Sequence, residues 1–223
     1  MDDRMVRIID IFVQSFFPLL KAGLIFTVPL TILSFTFGLI VAFLTALARL
    51  SSFRPIRSVA KFYVWIIRGT PLLVQLFIIF FGLPSIGITL NAFISAVIGF
   101  TLSVGAYSSE IIRSAIGSIG KGQWEASQAL GMSNGQTMIR VILPQAVKVA
   151  IPPLTNSFIS LLKDTSLAAA ITVSEMFQIA QQITARTYEP LLLYTEAAII
   201  YLIFSSILTM LQSKLEIKFG RHI

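Results

Sequence analysis

Long uncharged stretches alternate along the chain with short stretches that carry most of its basic residues. A helix rising about 1.5 Å per residue needs about 20 mostly apolar positions to cross a hydrocarbon core of about 30 Å. Residues 23–47 supply such a run without a single charge. Residues 59–81 supply a second, with Lys61 near one edge and Arg68 inside, and 92–112 a third, with Glu110 near its end. The fourth is shorter, apolar over 149–162 and continuing through Lys163 and Asp164 to Ile171, and 191–211 is the fifth. The pattern predicts an all-α integral membrane fold of five transmembrane helices, with its termini on opposite sides. Ahead of the first run, Ile8, Ile9, Ile11, Phe12, Phe16 and Phe17 fit one face of an amphipathic helix, either lying in the membrane interface or extending the first span. Asp2 and Asp3 stand where a cleaved signal is basic, and no A-x-A site follows, so these residues do not read as a signal peptide.

Charge placement predicts the orientation. Arg49, Arg54, Arg57 and Lys61 follow the first run, Arg113, Lys121, Arg140 and Lys148 the third, and Lys214, Lys218 and Arg221 the fifth. The opposite side holds Arg4, Arg7, Lys21, Lys163 and Arg186. Basic loops stay in the cytoplasm, so the N-terminus is expected outside and the C-terminus inside a multi-pass plasma-membrane protein. Composition agrees. The chain is 56% hydrophobic and 12% charged, against about 45–50% and about 25% for soluble domains. That excludes an ordinary soluble enzyme and a disordered chain, and the absence of cysteine excludes a disulfide-built module. The net charge of +7 then belongs to loops rather than to a nucleic-acid surface. No internal repeat or second domain is visible, so residues 1–223 read as one permeation domain.

The connection 114–148 is long enough to need structure of its own. Residues 123–130 favour a helix, and Gly131 stands where a left-handed cap is wanted. Ser133 and Gln136 have capping-box spacing before the run 138–143, and Pro144 is expected to stop that second helix. Gly131-Met132-Ser133-Asn134-Gly135 matches a hydrolase nucleophile elbow by letter alone, because the sole histidine is His222 and the flanks are helical. Gly120-Lys121-Gly122 lacks the remainder of a phosphate loop, so no ATP site is expected here. One histidine and no cysteine also argue against a metal centre.

Within that connection, Glu125-Ala126-Ser127, then Gly131, then Ile142-Leu143-Pro144, is similar to the EAA motif of ABC-importer permeases, with Ser127 in place of the second alanine. Arg68-Gly69-Thr70-Pro71-Leu72-Leu73-Val74-Gln75 and Lys163-Asp164-Thr165-Ser166-Leu167 resemble the polar amino-acid branch of that family, the importers of the His/Gln/Arg/cystine type. The resemblance covers nearly the whole chain. It implies a type I importer fold and a non-catalytic, prokaryotic inner-membrane subunit that works as a pair, with a second copy or a homologous permease. It further implies that 114–148 forms a coupling helix docked on a cytoplasmic ABC ATPase dimer, where Glu125 meets a basic group and Gly131 permits the turn. ATP and Mg belong to that ATPase, no cofactor to this chain, and an extracytoplasmic solute-binding protein delivers the amino acid.

An ionisable side chain at the centre of a span costs about 2.5–3.5 kcal/mol on insertion scales, which makes it a candidate for function. Arg68 precedes Pro71, whose missing N–H predicts a kink, and a guanidinium beside irregular backbone suits a carboxylate. Asp164 suits an α-ammonium, so the two would read a zwitterion, with Gln75 and Asn156 as uncharged partners on the cavity wall. They are equally able to neutralise each other. Glu110 either contacts substrate or pairs with Arg113, three residues on. Lys163 is expected to snorkel outward. The rival function is an ion-gradient-driven secondary transporter or channel, which ordinarily carries repeats and broken helices around a midplane ion site. A membrane scaffold is the third reading and leaves Arg68 and Asp164 without a role.

Overall fold

The computed structural model describes residues 3–220, with side chains through Lys214. Asp2, Arg221, His222 and the side chain of Lys218 lie outside the described residues. Ten α-helices form among them: α1 (Asp3–Ala22), α2 (Val28–Leu50), α3 (Arg54–Gly69), α4 (Leu72–Phe77), α5 (Ala92–Gly117), α6 (Lys121–Ala129), α7 (Asn134–Thr137), α8 (Leu143–Asp164), α9 (Met176–Thr187) and α10 (Pro190–Gly220). Four helical runs are long and apolar enough to cross a membrane: Asp3–Leu50, Ala92–Gly117, Asn134–Ile171 and Pro190–Lys214. The pair Arg54–Gly69 and Leu72–Ile86 makes a fifth if counted as one span. The amphipathic N-terminal helix is thus continuous with the first span.

Proline explains where these helices differ from the simple pattern. A proline lacks the N–H that bonds the carbonyl four residues back, and its ring crowds that carbonyl. Pro29, Pro84 and Pro144 are each preceded by a wide π turn: Gly23–Thr27, Ile78–Gly82 and Met138–Ile142. In each, the residue just before the proline donates its N–H five residues back, Val28 to Gly23, Leu83 to Ile78 and Leu143 to Met138. The wider coil makes room for the ring. Pro144 therefore does not stop its helix, contrary to the pattern-based expectation, and the run continues to Ile171. At Pro71 the outcome is the opposite. Thr70 is extended (φ −120°, ψ 147°), the conformation that proline imposes on its predecessor. The expected bend at Pro71 is present and sharp, and the second apolar run forms two helices at 105° to each other.

The residues cluster into two compact units. The first comprises Met1–Phe35, Pro71–Phe100 and Ile159–Met210. In it α1 packs along α9 and α4 against the 3₁₀ turn Thr165–Ile171. Its core is Leu19, Met176, Ala180, Ala197 and Ile200. The second unit comprises Thr36–Thr70, Thr101–Phe158 and Leu211–Ile223. There α2, α3 and α5 meet at Gly105, where a Cβ would lie 2.6 Å from both Tyr63 Oη and Val41 Cγ1. Tyr63 uses that closeness to donate its hydroxyl to the Leu102 carbonyl at 2.6 Å. Small residues at helix crossings are how membrane helices reach van der Waals contact. Phe37, Ile40, Leu44, Trp65 and Leu202 are exposed, as lipid-facing side chains are.

Candidate functional site

The connection 114–148 folds into an elbow within the second unit. Helix α6 ends in a complete Schellman motif. Gly131 has φ +77° and donates its N–H to the Gln128 carbonyl at 2.9 Å, while the Met132 N–H reaches the Ser127 carbonyl at 3.1 Å. Ser133 then caps α7. Its N–H donates to Gln136 Oε1 at 2.9 Å, and its hydroxyl oxygen accepts from the Gln136 N–H at 3.3 Å. The elbow sits on a core of Ala115, Ile116, Ile142, Ala146 and Ala150, against which Trp124 and Met138 pack. Ser127 is buried and donates its hydroxyl to the Gln123 carbonyl at 2.7 Å, so a small residue is required there. Glu125, Ala126 and Pro144 remain exposed, as do Leu130 (82%) and Ile139 (67%). The capped turn therefore presents one acid and two large apolar side chains at its surface.

One carboxylate gathers three guanidinium groups in the same unit. Glu110 Oε1 lies 2.5 Å from Arg49 Nη1 and 3.6 Å from Arg68 Nη1, while Oε2 lies 2.9 Å from Arg113 Nε. Arg68 also stands over the Tyr107 ring, 5.2 Å from its centroid. Arg49 and Glu110 are mostly buried, with side chains 14% and 23% exposed. The Arg113 contact follows from helical i,i+3 spacing. The approach of Arg49 and Arg68 has no local sequence signal.

The remaining predicted residues are distributed over both units. Gln75 is buried in α4, in the first unit. Asp164, at the end of α8, is exposed and makes no ion pair or hydrogen bond with its side chain among the described residues. Its neighbour Lys163 borders a cavity of about 490 Å³ with Ser166, Phe177, Tyr194 and Tyr201. Asn156, in the second unit, accepts from Gln212 Nε2 at 3.0 Å.

Two buried acids escaped the reading of the sequence. Glu175 caps α9, accepting from the Gln178 N–H at 2.7 Å and the Tyr201 hydroxyl at 2.6 Å. Burial pushes its carboxyl above the ordinary glutamate range, against the opposing pull of Tyr201 and the backbone N–H groups of Phe177 and Gln178. Glu196 accepts from the Ser15 hydroxyl at 2.5 Å. It lies inside the fifth apolar run, the very signal that singled out Arg68.

The capped elbow thus belongs to a chain with four helical runs long and apolar enough to cross a membrane among the described residues. Residues 34–220 match the family described as "Binding-protein-dependent transport system inner membrane component". The chain belongs to this family. Among the described residues the chain forms helices and no strand, and as an inner-membrane component it lies in the bacterial membrane. Among its relatives, the L-cystine transport system permease protein TcyB of Bacillus subtilis (strain 168) is 55% identical over 215 residues, covering 96% of this chain and 92% of that protein. The arginine transport system permease protein ArtQ of the same organism is 38% identical, covering 90% and 92%. A solved structure described as an amino acid ABC transporter with histidines aligns with a TM-score of 0.85 and 36% identity, over 96% of this chain and 97% of that one. The MetNI methionine ABC transporter shares the fold, at a TM-score of 0.69 and 20% identity.

Proposed function

We propose that this inner-membrane component is the permease subunit of an ATP-driven importer of polar amino acids or close analogues. The observation that carries the reading is the capped elbow, whose Glu125, Leu130 and Ile139 are exposed on a turn held rigid by Gly131 and Ser133. The elbow serves as the coupling element, seated on a cytoplasmic ABC ATPase dimer that binds ATP and Mg. Two such subunits, identical or homologous, enclose the path, and a solute-binding protein delivers the amino acid from outside. ATP-driven closure brings the two elbows together and turns the path outward, and hydrolysis resets it. The relatives that transport cystine and arginine support the amino-acid class, with L-cystine the first solute to assay.

Charge supports the orientation. The second unit holds twelve Lys and Arg against three Asp and Glu, and the first holds five against seven. Basic segments remain in the cytoplasm, which supports an elbow inside and an N-terminus outside. Substrate contact is assigned to Arg68, Asp164, Gln75 and Asn156, of which Asp164 has an unengaged carboxylate available for an ammonium, while Glu110 is engaged by Arg49 and Arg113. The test is L-cystine uptake by proteoliposomes that hold this chain with its ATPase and binding protein. Asp164→Asn is expected to lower uptake while leaving assembly intact, and a wild-type rate would remove Asp164 from the path. Failure of the wild-type complex to accumulate any of the twenty amino acids or cystine would overturn the reading itself.

A further inference from the structure

We propose that Arg68 and Arg113, held by Glu110, form a carboxylate-binding station for the transported amino acid. The inference rests on the importer reading and changes the role of Glu110 from ligand to anchor.

Three guanidinium groups share one carboxylate, so the cluster carries two uncompensated positive charges. Elsewhere in this unit the acids are Glu125 and Glu216, and Glu125 forms no ion pair among the described residues. Arginine does not shed its proton to relieve the excess. An added anion does.

The geometry shows where such an anion fits. Arg49 is the buried member, spent on Glu110 at 2.5 Å. Arg68 and Arg113 are half exposed, at 44% and 42%. Arg113 touches Glu110 through Nε alone, which leaves both terminal nitrogens unused among the described residues. Arg68 offers one terminal nitrogen at 3.6 Å, too long for a good hydrogen bond. Its guanidinium plane is held by the Tyr107 face. Glu110 and Tyr107 thus fix two forks beside each other, each with free N–H donors. A guanidinium fork matches a carboxylate through paired hydrogen bonds, and that group is common to every amino acid. Inorganic phosphate and a lipid headgroup share the oxyanion chemistry, and the experiment separates them from substrate.

The experiment uses the assembled permease–ATPase complex in phosphatidylcholine nanodiscs, which contain no anionic lipid. Radiolabelled L-cystine is the probe, and its dimethyl ester, lacking both carboxylates, is the control. Arg68→Gln and Arg113→Gln are each expected to raise the L-cystine Kd by about tenfold or more, as loss of a charge-assisted bond does. The ester should bind the variants as it binds wild type. Lys at either position should restore affinity only in part, because it keeps the charge and loses the fork. An unchanged melting temperature and ATPase content establish that the variants are folded. Equal L-cystine affinity in wild type and both variants would overturn the station. So would protection against heat by inorganic phosphate, or by added phosphatidylglycerol, that depends on both arginines while L-cystine binding does not. ATP-driven uptake by the wild type is scored separately, so the station can fail while the importer reading stands.

Discussion

Replacing Gly131 by alanine tests whether the elbow is held by backbone conformation. Gly131 adopts φ +77°, and a Cβ built there meets nothing within 4 Å. The variant therefore carries no packing penalty, only the cost of a side chain in left-handed geometry, about 1–2 kcal/mol. That cost corresponds to a shift of about 5–30-fold between ordered and frayed elbow. The affected bonds are the Gly131 N–H to Gln128 and the Met132 N–H to Ser127. Amide exchange at residues 131 and 132, measured on the complex in nanodiscs, should accelerate by that factor, with a parallel loss of ATPase-coupled uptake. Gly131→Asn should lie between wild type and alanine, since asparagine tolerates this conformation better. Gly135 also has open space around it but lies within α7 at no positive φ, so Gly135→Ala should leave exchange at 131 and 132 unchanged. Equal protection in Gly131→Ala and wild type, or greater damage from asparagine than from alanine, would show that left-handed backbone geometry does not hold the elbow.

Other outcomes follow from single contacts. Gly105→Ala drives a methyl to 2.6 Å from Tyr63 Oη and Val41 Cγ1, and should cost about 1–3 kcal/mol in detergent unfolding, whereas Gly122→Ala, with nothing within 4 Å, should cost nothing. Glu125→Lys should abolish ATPase association and uptake without altering membrane insertion, scored by co-purification. Burial raises the Glu175 carboxyl in the folded state. Its contribution is therefore fully present below the unfolded value, about 4.3, and is lost as pH rises through the higher folded value. Glu175→Gln should remove that part of the fall in melting temperature toward neutral pH, and an unchanged slope would show that Glu175 does not titrate in this range.

What the chain reveals by itself depends on how local each feature is. The elbow was legible because a Schellman glycine and a capping box act within six residues, and Gly131, Ser133 and Gln136 adopt those roles. The apolar runs were legible because membrane thickness sets their length. Proline was harder to read. The same residue type gives a π turn before Pro29, Pro84 and Pro144 but a 105° bend at Pro71, where an extended Thr70 follows Gly69. The Glu110 cluster was legible only in part. Arg113 lies one helical turn from Glu110, but Arg49 arrives from 61 residues away and Arg68 from the end of α3, contacts made by packing around Gly105 and Tyr63 rather than by any spacing. Glu196 sat in plain view within an apolar run, and its partner Ser15 lies 181 residues away.

If the elbow transmits ATP-driven motion to an amino-acid path, transport must depend on nucleotide and on Glu125 together. The most direct measurement is L-cystine accumulation in sealed proteoliposomes containing the full complex, with ATP supplied to the ATPase face and all ion gradients collapsed. Accumulation should require ATP and disappear in Glu125→Lys. Accumulation without nucleotide, driven by an imposed proton or sodium gradient, would contradict that dependence.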